Sequence, residues 1–158
     1  MATLRAEPLS WLSFGVRILS GDEEITQLKI SAFRTKGSFK LDGDEFTIEP
    51  SGFFRSDATL MKGSSVIAKA KKAGVFKRTW EISSAGHHLT LESRSLMGRE
   101  YALLLGTQEV GRVKRQGFSG RQTAMEFPDN VPVFLQVFRA YIVISQARRE
   151  AAAAASGS

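Results

Sequence analysis

The chain contains no cysteine, which excludes a disulfide framework, thiolate chemistry and any Cys-based zinc site. That absence fits a reducing compartment. Proline is scarce, at 4 residues beside 14 glycines, a balance that suits many short strands joined by tight turns. No apolar run is long enough to span a membrane. The longest, residues 131–144, would reach ~21 Å as a helix against a hydrocarbon core of ~30 Å, and Gln136 and Arg139 interrupt it. Glu7 and Pro8 fall where a secretory signal needs uninterrupted apolar residues, so a cytoplasmic chain is expected.

Catalytic signatures are missing as well. There is no HExxH spacing, no G-x-S-x-G elbow and no glycine-rich phosphate loop. His87 and His88 are adjacent, and neighbours on a strand point to opposite faces, which makes a shared metal awkward. Asp42, Asp44 and Glu45 cluster at a turn, and the turn accounts for them. No catalytic residue, metal or cofactor is assigned, and a non-enzymatic role is expected.

What the sequence does hold is strand pattern. Segments of strand character recur at 10–19, 25–34, 39–41, 45–48, 53–60, 65–71, 75–82, 89–94, 100–105, 109–115 and 118–127, with glycines near most breaks. Asp42-Gly43 between Leu41 and Asp44 favours the positive φ angles of a type I′ hairpin turn. So many short strands indicate a large antiparallel sheet, closed or doubled to hide its edges. Residues 1–150 form one domain, and the Ala/Ser/Gly tail 151–158 is expected to be frayed or disordered.

After residue 127 the pattern changes. Pro128-Asp129-Asn130 offers a helix start with Asp129 or Asn130 as N-cap. Residues 131–144 then place apolar side chains on nearly every face, where a surface helix would show one stripe. Such a helix belongs inside the sheet.

Net charge is +6, unevenly spread. Residues 1–60 carry 7 Lys and Arg against 9 Asp and Glu, and residues 61–158 carry 15 against 7. The asymmetry points to an anionic partner; the alternative is a solvated surface that only confers solubility. The basic residues fall in an internal echo, in which residues 67–78 (IAKAKKAGVFKR) match 110–121 (VGRVKRQGFSGR). Alternation places Lys69 and Lys71 opposite Ala68 and Ala70, and Arg112 and Lys114 opposite Gly111 and Val113. Small inward residues leave room for a helix. Outward, Lys69, Lys71, Arg112 and Lys114 make an anion-binding face if the two units are neighbours in the sheet. Arg78 and Arg121 could flank that face or form internal ion pairs, and Lys72, Lys77 and Arg115 could extend it. Phe76 and Phe118, with Trp11, Trp80, Tyr101 and Tyr141, are read as core.

Two stretches, Val110-Gly111-Arg112-Val113-Lys114-Arg115-Gln116-Gly117-Phe118 and Phe127-Pro128-Asp129-Asn130-Val131-Pro132-Val133-Phe134-Leu135, carry a resemblance to the tubby C-terminal-like superfamily. That group includes the LURP-one-related proteins and the phospholipid scramblases. The resemblance implies a closed, mainly β barrel of about twelve antiparallel strands around a buried hydrophobic C-terminal α-helix. It also implies binding of phosphoinositide-like headgroups through cationic residues, and hence peripheral association with anionic membrane lipid. The chain lacks the Cys-rich and Pro-rich segments of the scramblases, so lipid transport is not implied. Two other readings stay open. One is a protein-interaction scaffold with no small ligand. The other is a basic barrel that binds nucleic acid, for which interleaved aromatics are thin.

Overall fold

A computed structural model describes residues 2–9, 15–31, 35–52, 56–74, 77–95, 99–116 and 122–157. It contains strands β1 (Ala2–Pro8), β2 (Val16–Ser20), β3 (Glu23–Ile30), β4 (Gly37–Leu41), β5 (Asp44–Ser51), β6 (Asp57–Lys62), β7 (Ser65–Lys72), β8 (Thr79–Ser84), β9 (His87–Ser93), β10 (Glu100–Leu105), β11 (Gln108–Gln116) and β12 (Gln122–Phe127), then helix α1 (Val133–Ser156). Every strand pairs with its sequence neighbour, and β1 pairs antiparallel with β12 from Ala2↔Phe127 to Ala6↔Thr123, so the sheet closes on itself. Closure leaves no edge strand to template aggregation.

The expected barrel around a helix is what the chain forms. Inward residues of every strand meet α1 in one apolar cluster. Helix residues 135–143 are all buried, which requires wall on every side. Small residues make the room. Ala68, Ala70 and Val113 are buried on the inner face, and a Cβ added at Gly37 would lie 3.1 Å from the Tyr141 ring. Trp80, Tyr101 and Tyr141 are core, as read from sequence; Trp11, Phe76 and Phe118 lie outside the described residues. The Tyr141 hydroxyl donates to the Thr35 carbonyl at 2.6 Å, tying the helix to the β3–β4 connection.

Three features differ from expectation. Strand β1 carries no strong strand pattern of its own; it is a strand because β2 and β12 pair it on both sides. The helix begins at Val133 with Pro132 at the N-cap and no side-chain cap, so neither Asp129 nor Asn130 holds that position. The expected disordered tail is instead the exposed end of α1, helical through Ser156, because alanine is the best helix former and the buried turns before it supply the nucleus.

The echo is threefold. Bulges fall at Leu60/Met61 in β6–β7 and Leu103/Leu104 in β10–β11, and a third falls at Ile18/Leu19 in β2–β3. Each bulge leads into a turn whose glycine has a left-handed φ: Gly21 at 61°, Gly63 at 60° and Gly106 at 64°. A bulge coils and twists the strand that bears it, so three equivalent bulges spaced four strands apart bend the sheet evenly into a barrel.

Candidate anion-binding site

Alternation sends Lys69 and Lys71 to the outer face of β7, and Arg112 and Lys114 to the outer face of β11, all four exposed. Strands β8, β9 and β10 lie between. At ~4.8 Å per strand step the two groups are ~19 Å apart along the wall, a third of the way round. The two units are not neighbours, and the strand-face set does not gather on one surface. Arg112 is already held by carboxylates, with Nη1 2.8 Å from Glu100 Oε1 and Nε 3.3 Å from Glu109 Oε1; the Glu109 hydrogen bond leads in raising its pKa. Arg121 lies outside the described residues.

Other basic residues do come together. The inward rows of β7 and β11 run Ala68, Ala70, Lys72 and Gly111, Val113, Arg115. Their last members reach the rim, where α1 leaves the barrel. Lys72 and Arg115 occupy matching positions in the echo. Arg78, just before β8, joins them, and α1 adds Arg148 and Arg149. All five side chains are half-buried. Lys72 Nζ lies over the Trp80 ring, 5.5 Å from its centroid, and Trp80 is fixed by an Nε1–H bond to the Ser56 carbonyl at 2.9 Å. The result is a basic collar around the emerging helix.

Two carboxylates touch the collar: Asp57 Oδ1 accepts from the Lys72 backbone N–H at 2.8 Å, and Glu150 lies among the side chains. Glu150 Oε1 accepts from Arg78 Nε at 2.5 Å and from Gln146 Nε2 at 2.8 Å. Gln146 Oε1 in turn accepts from Arg149 Nη2 at 3.0 Å. Burial, the largest cause, lowers the pKa of Lys72, Arg115, Arg148 and Arg149. Arg149 and Arg78 depress Lys72 further, while Glu150 supports it. The Tyr101 phenol beneath the collar is pushed up to about 12, by burial first and then by Glu150. Half-dehydrated cations in excess form a seat for an anion: Arg offers paired donors in the geometry of a phosphate edge, and Lys adds a compact charge.

Lys72 and Arg115 are legible in the sequence only as extensions of a strand face, whereas the internal ion pair open to Arg78 is the one it forms with Glu150. Sequence reading passed over Arg148, Arg149 and Glu150, which stand where the apolar helix sequence ends, a signal that the chain there meets water.

Two further arrangements bear on function. Ser83 Oγ lies 3.3 Å from His88 Nδ1, and His88 Nε2 lies 3.2 Å from Glu81 Oε2. This resembles a nucleophile–base–acid relay, but it lies on the open outer wall. Ser83 and His88 face each other across the β8–β9 ladder, and β8 is paired on both sides, so the strand amides that an oxyanion would need are engaged. Among the described residues no group of three His, Cys, Asp or Glu side chains could hold a metal ion, and no helix is long and apolar enough to cross a membrane. At the opposite end of the barrel a groove of about 520 Å³ runs past Phe46, Val66, Ile67, Pro132 and Phe134, with Asp42 and the Asp44–Lys62 ion pair on its rim. Comparison with family models, curated proteins and solved structures finds no match to this chain.

Proposed function

We propose that this chain is a tubby-like, non-enzymatic binding domain that docks peripherally on anionic phospholipid, on the cytoplasmic face of a membrane. Its headgroup seat is the collar of Lys72, Arg78, Arg115, Arg148 and Arg149. The observation that carries this reading is the crowding and mutual repulsion of half-buried cations at the rim, where Lys72, Arg78, Arg115 and Arg149 share the field of the Glu150 carboxylate. An anionic headgroup relieves that repulsion, and each well-placed basic residue contributes ~1 kcal/mol toward an anionic surface.

Co-sedimentation with phosphatidylcholine vesicles of graded phosphatidic acid content, at low and physiological salt, tests it. Replacing Arg115 and Arg149 with Gln removes ~2 kcal/mol of attraction, so affinity should fall about 30-fold. Replacing Lys69 and Arg112 with Gln removes the same charge from the wall. Lys69 lies ~10 Å from the rim, beyond the ~8 Å screening length at physiological salt, so this pair should cost less than about threefold. Equal losses from both pairs would contradict a collar site.

A second reading, a protein-interaction domain, draws on the apolar groove at the other end, where Val66 is 53% exposed. It predicts no headgroup-selective vesicle binding. A nucleic-acid reading gains nothing from the collar, whose described aromatics, Trp80 and Tyr101, are buried and unavailable for base stacking.

A further inference from the structure

We propose that the groove at the turn end of the barrel is a docking site for a partner protein's segment that presents large apolar side chains beside lysine or arginine. This surface lies at the end opposite the collar, and neither depends on the other. The groove holds about 520 Å³, within the range that takes several buried side chains. Its floor is preformed. The rings of Phe39 and Phe46 stack with centroids 4.8 Å apart, and Phe134, in the first turn of α1, stacks on Phe46 at 5.9 Å. Phe39 and Phe46 are buried, so the floor is anchored in the core and loses little freedom when covered. Val66 and Ile67 line the groove beside it. Among the described residues Val66 and Leu105 are the large apolar side chains most open to water, at 53% and 52%. Val66 faces the groove; Leu105 is not part of its lining.

Charge selects the occupant. Among the lining side chains the one permanent cation is Lys62, and Asp44 holds it at 3.0 Å. Two carboxylates, Asp42 and Asp44, stand on the rim against that single cation. Asp22, Glu23 and Glu24, exposed at the next turn round the barrel, add to the negative field. A basic segment is therefore attracted and an acidic one repelled. The sheet sets the mode of docking. Closure leaves no free strand edge, so a partner cannot add a strand and must insert side chains instead. A helix with apolar anchors at i and i+4 and basic neighbours does so.

The probe is a fluorescein-labelled amphipathic helical peptide with leucines at i and i+4 flanked by lysines. It is compared by fluorescence anisotropy with one version carrying glutamate for lysine and another carrying alanine for leucine. The wild-type chain should bind the leucine–lysine peptide about tenfold more tightly than either other version. Val66→Ser removes apolar area from the groove and should weaken that binding about tenfold. Leu105→Ser, equally exposed but off the groove, should weaken it less than about twofold. Asp42→Asn keeps the turn, whose φ of 52° asparagine tolerates. It should weaken the lysine peptide about threefold and leave the glutamate peptide no weaker. Circular dichroism and melting temperature like those of the wild type show that the variants, all at exposed positions, are folded. Equal binding of the lysine and glutamate peptides overturns the proposal, as does absence of binding by the wild type. Equal losses in Val66→Ser and Leu105→Ser mean adsorption to any apolar surface, and overturn it too. Self-association that disappears in Val66→Ser would make a second copy the occupant and overturn the assignment to a foreign segment. Each of these outcomes leaves the collar to be judged by vesicle binding alone.

Discussion

Arg139 lies on the buried stretch of α1, 1% exposed, with Nη2 donating to the Glu126 carbonyl at 3.2 Å and the guanidinium 6.0 Å from the Phe127 ring centroid. Among the described residues its Nε and Nη1 have no hydrogen-bond partner, and neither does the Oε1 of Gln136 one turn earlier. Burial brings its pKa down to about 9, so it still carries charge at neutral pH, at a cost in desolvation. Arg139→Met, similar in length and apolar, should raise stability in urea by about 1 to 3 kcal/mol; a loss of that size would mean the Glu126 bond holds the barrel together. Tyr101 gives the pH signature. Its phenol ionises near 10 when unfolded and about 12 when folded, so its contribution is complete below pH 10 and lost as pH rises through 12. Relative to Tyr101→Phe, the wild type should lose about 2 to 3 kcal/mol between those values. Arg139, with a lowered pKa, acts in the opposite direction above pH 9, which is why the difference between the two proteins is the quantity to measure. An unchanged difference would refute the assignment. In the sequence Arg139 reads only as an interruption of an apolar run, because residue type does not reveal which face of a buried helix finds a partner.

At the scale of elements, the helix and most strands were legible because their periodicities differ. All-round apolarity over 131–144 separates α1 from the alternating strands, and Asp42-Gly43 announces its turn, with φ of 52° and 83°. Strand β1 was not legible, since its pairing comes from β2 and β12 rather than from its own residues. Nor was the third unit of the echo: where the inward rows of β7 and β11 end in Lys72 and Arg115, that of β3 ends in Ile30, so sequence identity fades while the bulge and the glycine turn persist. Close strand approach leaves its own mark at Gly111, where an added Cβ would run into the Glu126 carbonyl oxygen and stand 3.0 Å from its carbon. Both atoms are backbone and cannot rotate away. Gly111→Ala should therefore destabilise by about 2 to 3 kcal/mol, with β11–β12 amides losing hydrogen-exchange protection first. A fully stable variant would show that β12 can shift at little cost. Ala68 holds the matching position on β7, so the requirement is local to the β11–β12 contact.

For the whole molecule, the meander decides what the charge pattern means. Each tight turn lies at one end of the barrel and each longer connection at the other, so residues far apart in sequence share an end. Asp22, Glu23, Glu24, Asp42, Asp44, Glu45 and Glu109 gather at the turn end; Lys72, Arg78, Arg115, Arg148 and Arg149 ring the other. Charge asymmetry along the chain pointed to an anionic partner. It could not say where, because that depends on strand order and on the direction in which α1 threads the barrel. The barrel is thus polar along its axis, acidic where the helix enters and basic where it leaves, which favours end-on approach to a negative surface.

The most direct measurement is vesicle co-sedimentation at physiological salt with three proteins: wild type, Arg115→Gln with Arg149→Gln, and Lys69→Gln with Arg112→Gln. Binding by the wild type should increase with phosphatidic acid content, the collar variant should lose about 30-fold, and the wall variant should keep near wild-type affinity. Wild-type protein that stays in the supernatant at every phosphatidic acid content, or a collar variant that sediments like the wild type, would contradict the collar as the headgroup seat.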